Sequence, residues 1–348
     1  MFFLLSTECF ALPKSAVLID KESGRVLFEL NKDEPLPMAS TTKIMTALIT
    51  LEEEKIDDYF TVDEKAITVE GSSMGLKKGD KASLRILAAG MLLASGNDAA
   101  NAAAVKISGS TESFVKLMNE RAKEMGLEST SFETPSGLDG EKHFSTAYDM
   151  AILAKNALEN PDFAAICGAK TYTAEYGDPP YRRRITNHNK LLSTLEGATG
   201  VKTGFTKKAG RCLVSSAERE GVSLICVTLG CPDDWNYHKA LYEEYFKKLK
   251  AVSAAEGMET EVSVCGGESV SVVAKALPVS LSLFVGEEPE SVFSIPPFVF
   301  APVEKGDILG KVIFYLDGKV IGETPLTAKE SVPVLNRKDG ILNELFNK

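Results

Sequence analysis

The chain has 348 residues, of which 44% are hydrophobic and 25% charged, and a formal net charge of −10. That length can bury a large core and is enough for two domains, and the composition is that of an ordinary globular protein. An acidic chain without a long basic block starts far from nucleic-acid binding, and no stretch beyond the N-terminus is long and apolar enough to span a membrane.

Residues 1–12 (MFFLLSTECFAL) read as a residual export signal, cut short at its start, with cleavage near Ala11. The apolar run Phe2–Leu5 is short, Glu8 sits badly in such a segment, and a basic leader is missing. The alternative is a disordered N-terminus. Ala16–Asp20 and Arg25–Leu30 are β-rich runs around Glu22-Ser23-Gly24, a hairpin pattern. Pro35-Leu36-Pro37 breaks the chain, and Ser40 opens a predicted helix to about Glu54. Leu84–Ala94 is a nearly all-apolar helix, which predicts burial on every side. It ends at Ser95-Gly96, and the next helix starts near Asn97 or Asp98. Ser110–Met125 is amphipathic and stops at Gly126, a good residue after a helix end. Thr146-Ala-Tyr-Asp149 resembles a capping box for a helix reaching about Leu158.

From Lys170 the pattern turns to strands, clearest at Gly200–Phe205, Gly210–Ala217 and Val222–Leu229, and Tyr237–Leu249 reads as a closing helix. The expected class is α+β: an antiparallel sheet flanked by helices over residues 13–250. Composition shifts near Ala251–Gly257. Residues 257–335 alternate short strands with Gly, Pro and the Asp317-Gly318 turn, which predicts a small all-β sandwich domain. Residues 336–348 form a short tail with Ile341, Leu342, Leu345 and Phe346 on one helical face. It reads either as a partial amphipathic anchor making peripheral membrane contact or as ordinary packing. The six cysteines contain no C-x-x-C pair, which argues against a zinc or redox motif. Cys212 and Cys226 flank the Glu220-Gly221 turn and could form a disulfide; buried free thiols are the simpler reading.

Three short motifs carry the chemistry: Ser40-Thr41-Thr42-Lys43, Ser95-Gly96-Asn97 and Lys202-Thr203-Gly204. Each alone is weak. A second S-x-x-K at Ser113–Lys116 lies in the amphipathic helix and serves as an internal control. Ser40 and Lys43, three residues apart, share one helix face, and a helix N-terminus favours developing negative charge at Ser40. A serine hydroxyl needs a base. The three histidines lie in no nucleophile-elbow context and no G-x-S-x-G occurs, so a Ser-His-Asp triad is disfavoured. Lys43 can be that base only if its amine is neutral near pH 7, a depression of about 3 pH units or about 4 kcal/mol. Burial and a second cation are the available causes, and Lys202 is the natural second cation. Ser95 can relay a proton to a leaving amine, and Asn97 can hold Lys43 and a substrate amide. Gly204 lets a peptide lie along a strand edge, and Lys202 with the Thr203 hydroxyl suits a carboxylate. Strict alternation places Thr203 on the face opposite Lys202 and Gly204, so local twist must help.

With these motifs in this order, the chain resembles a low-molecular-mass penicillin-binding protein, a serine-type D-alanyl-D-alanine carboxypeptidase. Similar segments run through nearly all of it: Ala39–Thr46, Gly71-Ser-Ser-Met74, Ser95–Ala99, Gly137-Leu-Asp139, Asn187-His-Asn189 and Gly200–Thr206. The resemblance implies a serine β-lactamase/D,D-peptidase-like fold, Ser40 as acylated nucleophile, Lys43 as its base, and Ser95 and Asn97 assisting. It implies Lys202 and Thr203 on the terminal carboxylate, and backbone N–H groups of Ser40 and Phe205 as the oxyanion hole. The implied partners are peptidoglycan stem peptides and, as covalent inhibitors, β-lactams; no metal or cofactor is implied. Function would lie outside the cytoplasm. The segment Cys231–His238 carries no arginine where some relatives place one for the substrate carboxylate, and Arg211 is a candidate substitute.

Rival readings are a β-lactamase, a non-catalytic β-lactam or peptidoglycan sensor, and a transpeptidase. A class A β-lactamase should add an E-x-x-N segment, whereas the chain has Glu133-Thr-Pro-Ser136, and its second motif is S-G-N in place of S-D-N. A sensor usually belongs to a membrane-spanning chain.

Overall fold

The computed structural model describes residues 12–335. Cys9, nearly all of the expected signal remnant and the 336–348 tail lie outside the described residues. The chain divides into two compact units: one runs to Arg219 and resumes over Ser223–Lys247, and the other takes Glu220–Val222 and the chain from Lys248 on.

The first unit opens with β1 (Ser15–Asp20) and β2 (Val26–Leu30), an antiparallel hairpin. A 3-10 turn, Ala39–Thr42, leads into α1 (Lys43–Glu52). Ser40 therefore lies in the turn, and the α-helix begins only at Lys43. Two two-residue strands, β3 (Phe60–Thr61) and β4 (Lys81–Ala82), follow. Next come α2 (Leu84–Ala94), α3 (Asn97–Ser108), α4 (Thr111–Glu124) and α5 (Ala147–Glu159). Side-chain caps set three of their starts: Ser83, Ser110 and Thr146 each accept from an N–H three residues on. The helix α6 (Pro161–Gly168) has no counterpart in the sequence reading, although Asn160 caps it and Pro161 begins it. The hairpin β5 (Thr171–Gly177) and β6 (Pro180–Thr186) joins β3 and β4 in a small sheet ordered β3-β4-β5-β6. A single helical turn, α7 (Leu191–Thr194), precedes β7 (Ala198–Thr206), β8 (Gly210–Arg219), β9 (Val222–Leu229) and α8 (Asp234–Lys248).

The main sheet is ordered β2-β1-β9-β8-β7. Glu220 and Gly221, both at positive φ, turn β8 into β9. One core joins Val17, Val214 and Val227 of this sheet to Ile44, Leu87 and Met150 of the helices. The all-apolar α2 is buried over nine of its eleven residues, so its end at Ser95 is held from every side. Cys212 and Cys226 are buried free thiols, which removes the disulfide alternative.

In the second unit, β10 (Leu249–Ala254) pairs with β13 (Val279–Phe284). The other strands are β11 (Glu259–Cys265), β12 (Ser271–Ala276), β14 (Glu290–Ser294), β15 (Val299–Phe300), β16 (Ile308–Leu316) and β17 (Lys319–Ala328). They form a six-stranded sheet ordered β14-β16-β17-β12-β11-β15. The two sheets meet at Gly322, where an added Cβ would lie 2.4 Å from Leu281. This all-β unit has its own core, with Val262, Val312 and Leu326 at its centre. No helix among the described residues is long and apolar enough to cross a membrane.

Candidate active site

The 3-10 turn explains why Ser40 and Lys43 meet. At three residues per turn, residues i and i+3 eclipse, and Lys43 Nζ lies 3.0 Å from Ser40 Oγ. Three contacts hold the turn in place. Thr41 and Thr42 donate from their hydroxyls to the carbonyls of Met38 and Ala39, at 2.6 and 2.8 Å. His143 lies 2.8 Å from Thr42 Oγ1 through Nε2. Its Nδ1 accepts from the Glu133 N–H at 2.9 Å, which leaves the ring proton on Nε2. Burial pushes this imidazole down to about 4, so it stays neutral. Gly137, at φ +85, packs against the Ala39 carbonyl, where a Cβ would be only 2.1 Å from the oxygen.

Lys43 is fully buried. Its Nζ contacts Asn97 Oδ1 at 2.7 Å and the Ser136 carbonyl. Burial holds the amine well below the ordinary lysine value and the Lys202 cation pushes it further, against a smaller opposing effect of Asp98. A neutral amine has two N–H donors and one lone pair. Asn97 Oδ1 and the Ser136 carbonyl can only accept, so they take both donors, and the lone pair is left for the Ser40 hydroxyl.

Ser95 closes α2 at φ +59 and Asn97 opens α3. Asn97 is held from both sides: its Nδ2 donates to the Glu70 carbonyl at 2.7 Å and its N–H donates to the Ser72 carbonyl at 2.7 Å. Asp98 fastens the same loop, accepting from the N–H groups of Met74, Gly75 and Leu76 and from the Ser73 hydroxyl. Gly71 runs so close to Asn97 that a Cβ would sit 2.7 Å from Nδ2.

Lys202 is buried in β7, and its Nζ donates to Ser95 Oγ at 3.1 Å and to the Thr203 carbonyl at 2.6 Å. Burial lowers it to about 7. Gly204 brings β7 against the Ser40 turn: a Cβ there would lie 3.1–3.2 Å from Met38 O, Ser40 N and Thr41 N. Thr206 donates to Asp139 at 2.9 Å and Lys208 to the Gly140 carbonyl at 2.8 Å, tying the end of β7 and the turn after it to the 137–143 loop.

A cleft of about 300 Å³ opens at this point. Ser40, Ser95, Thr203, Gly204 and Phe205 line it, and Lys43, Asn97 and Lys202 stand buried behind that wall. The opposite rim brings Arg211 of β8, which donates to Asp234 at 2.7 and 3.0 Å and lies over the Trp235 ring. The control pair Ser113 and Lys116 is exposed on α4, far from any such wall. Among the described residues no group of three or more His, Cys, Asp or Glu side chains could hold a metal ion. Four contributors escaped the sequence reading: the Ser136 carbonyl, Asp98, His143 and the glycine at 71 as a close-approach position. Only Asp98, a carboxylate beside Asn97 in the first turn of a helix, left a readable trace.

A serine beside a buried lysine, with a second buried lysine on the edge strand, is the side-chain arrangement of the S-x-x-K and K-T-G serine proteins. The chain belongs to the D-alanyl-D-alanine carboxypeptidase family: residues 10–233 match its family model, and residues 246–334 match that of the penicillin-binding protein 5 C-terminal domain. It is 35% identical to the D-alanyl-D-alanine carboxypeptidase DacF of Bacillus subtilis, over 92% of this chain and 85% of that one. It is 36% identical to DacC of Escherichia coli, over 91% and 83%. Crystal structures of penicillin-binding protein 5 from Haemophilus influenzae share its fold, with a TM-score of 0.73 at 32% identity over 92% of this chain and 97% of that one.

Proposed function

We propose that the chain is a serine D-alanyl-D-alanine carboxypeptidase that removes the terminal D-alanine of peptidoglycan stem peptides through an acyl-enzyme on Ser40. The observation that carries this reading is the placement of Lys43 Nζ, buried, 3.0 Å from Ser40 Oγ with its two donors taken elsewhere. In the first half-reaction Lys43 takes the Ser40 proton as Oγ attacks the carbonyl of the penultimate residue. The backbone N–H groups of Ser40 and Phe205 receive the oxyanion, each donor typically worth about 2.7–4 kcal/mol; the approach of β7 to the turn at Gly204 supports that pairing. Ser95, in contact with Lys202 Nζ, passes a proton to the leaving amine as the C–N bond breaks. Lys202 and Thr203 hold the terminal carboxylate. The proton that Lys43 took replaces the one Ser95 gave, which leaves Lys43 neutral again. In the second half-reaction Lys43 deprotonates water, which cleaves the ester, and that proton returns to Ser40 Oγ as the serine is freed.

A β-lactam enters the same path at Ser40. Among the described residues the one carboxylate on the cleft wall, Asp234, is engaged by Arg211 and so is poorly placed to activate water. This favours a persistent adduct over β-lactamase turnover. Action on peptidoglycan places the protein outside the cytoplasm, consistent with the export-signal reading of residues 1–12. Membrane contact through residues 336–348 belongs to the same proposal.

The test is D-alanine release from diacetyl-Lys-D-Ala-D-Ala by the purified protein beside Ser40→Ala. Release by the wild type alone, blocked by penicillin with a stable adduct, is the expected result. Acylation without release would replace this reading with a sensor or transpeptidase, and rapid penicillin hydrolysis would replace it with a β-lactamase.

A further inference from the structure

Of the three histidines, two are satisfied at both ring nitrogens. His143 bonds Glu133 and Thr42, and buried His238 bonds Ser215 at 2.7 Å and Thr228 at 2.9 Å. His188 differs. It is exposed on the cleft wall, and its ring has no hydrogen-bond partner among the described residues.

The backbone that presents it is clamped on every side. Asn187 Nδ2 donates to the Cys167 and Ala169 carbonyls at 3.0 and 2.9 Å, and its Oδ1 accepts from the Asn189 N–H. Asn189, buried, donates to the Gly200 carbonyl of β7 at 2.9 Å and accepts from the Leu191 N–H. The His188 N–H donates to the Leu93 carbonyl, two residues before Ser95. Two adjacent residues thus tie the segment down: His188 to the helix that ends in Ser95, and Asn189 to the strand that carries Lys202 and Thr203. Such a scaffold fixes a side chain for use at a site.

The charges facing the imidazole are mostly cations. Lys202 of β7 acts on it directly, Lys190 shares its segment, and Lys43 of α1 lies behind the wall. Arg211 of β8 completes the rim, with its charge met by Asp234 of α8. Partial burial and Lys202 lower His188 below the ordinary histidine value, so it is neutral at pH 7. Among the described residues no cleft-wall carboxylate is left over for it, and this cationic setting suits an anion as the partner of its ring.

We infer that His188 is a substrate-contacting residue of the leaving-group side, where it grips the terminal carboxylate of the peptide and grips it harder as the pH falls. This rests on the carboxypeptidase reading. The neutral ring donates one N–H, whereas the protonated ring donates two and adds a charge. A bound carboxylate offsets the surrounding cations and favours that protonation. No bond is made or broken at His188, and its effect belongs in KM.

The experiment compares wild type with His188→Gln and His188→Arg, measuring kcat and KM for D-alanine release from pH 5 to 8. In parallel, acylation by benzylpenicillin is compared with acylation by its methyl ester, which lacks the carboxylate. Lys202 contributes a shared limb near pH 7, so the difference between variants below about pH 6.5 is the informative part. We expect His188→Gln to raise KM about tenfold at pH 5.5 and under threefold at pH 8, with kcat within twofold. His188→Arg should keep KM low and flatten that difference. Benzylpenicillin acylation should fall in His188→Gln while the ester is unaffected. An unchanged KM profile, or a loss confined to kcat, would overturn the inference. If the wild type releases no D-alanine, the carboxypeptidase reading fails, and the penicillin–ester comparison alone decides the role of His188.

Discussion

Lys43 and Lys202 illustrate at residue scale how function is set against stability. Burying two amines is unfavourable, and their depressed values measure it. For Lys202 the native value is about 7, against about 10.4 in an unfolded chain. Between these values the unfolded state binds more protons, so stability should rise with pH from 7 to 10, by up to roughly 4 kcal/mol, with the penalty fully present below pH 7. Urea unfolding at pH 7 and 9.5 checks this, and equal midpoints would contradict it. Lys202→Met should be more stable by about 1–4 kcal/mol at pH 7 and inactive. The same pair shapes activity. If Lys43 is the base and Lys202 the carboxylate's cation, as proposed, deprotonation of Lys43 should give the rising limb of kcat/KM, and loss of the Lys202 cation a falling limb above about 7. A profile that climbs steadily to pH 10 would argue against a carboxylate-binding role for Lys202. The motif residues were legible in the chain. The acceptors that orient Lys43 were not, because the Ser136 carbonyl is backbone and has no residue signature.

At the scale of elements, the 3-10 turn is held by its neighbours as much as by its own bonds. Gly137→Ala should drive the 137 loop from the Ala39 carbonyl, destabilise by about 2–4 kcal/mol and slow penicillin acylation. Gly109→Ala is the matched control: it also has positive φ but open space around it. It should lose about 1 kcal/mol and acylate normally. Thermal melts with timed acylation separate the two, and equal acylation rates would dissociate the loop from the turn. Bounded apolar runs made Leu84–Ala94 and Val222–Leu229 readable, and amphipathic periodicity the Ser110-capped helix, each to within a residue or two. The helix at Pro161–Gly168 was missed because eight residues give little periodicity. The expected helix start at Ser40 was displaced by three residues because Ala39, at φ +50, and the Thr41 and Thr42 hydroxyl bonds tighten the turn.

For the whole molecule, each unit has a closed core of its own, and every motif residue lies in the first. A chain ending after Lys248 should therefore keep penicillin acylation within about twofold. Loss of acylation with retained folding would instead give the β-unit a part in the site. The order and spacing of the three motifs, the all-β character beyond Gly257 and the case for a lysine base follow from the sequence itself, because residue type and local period carry them. What only the tertiary structure decided is the setting of Lys43: its burial, the acceptors on its amine and its distance from Ser40. Asn97, Ser136 and Ser95 come from 54, 93 and 107 residues away in the chain to meet Lys43 or Lys202. An amine's protonation depends on how completely such distant groups exclude water from it, and an unpartnered imidazole on the same cleft wall is visible only when all its neighbours are in place.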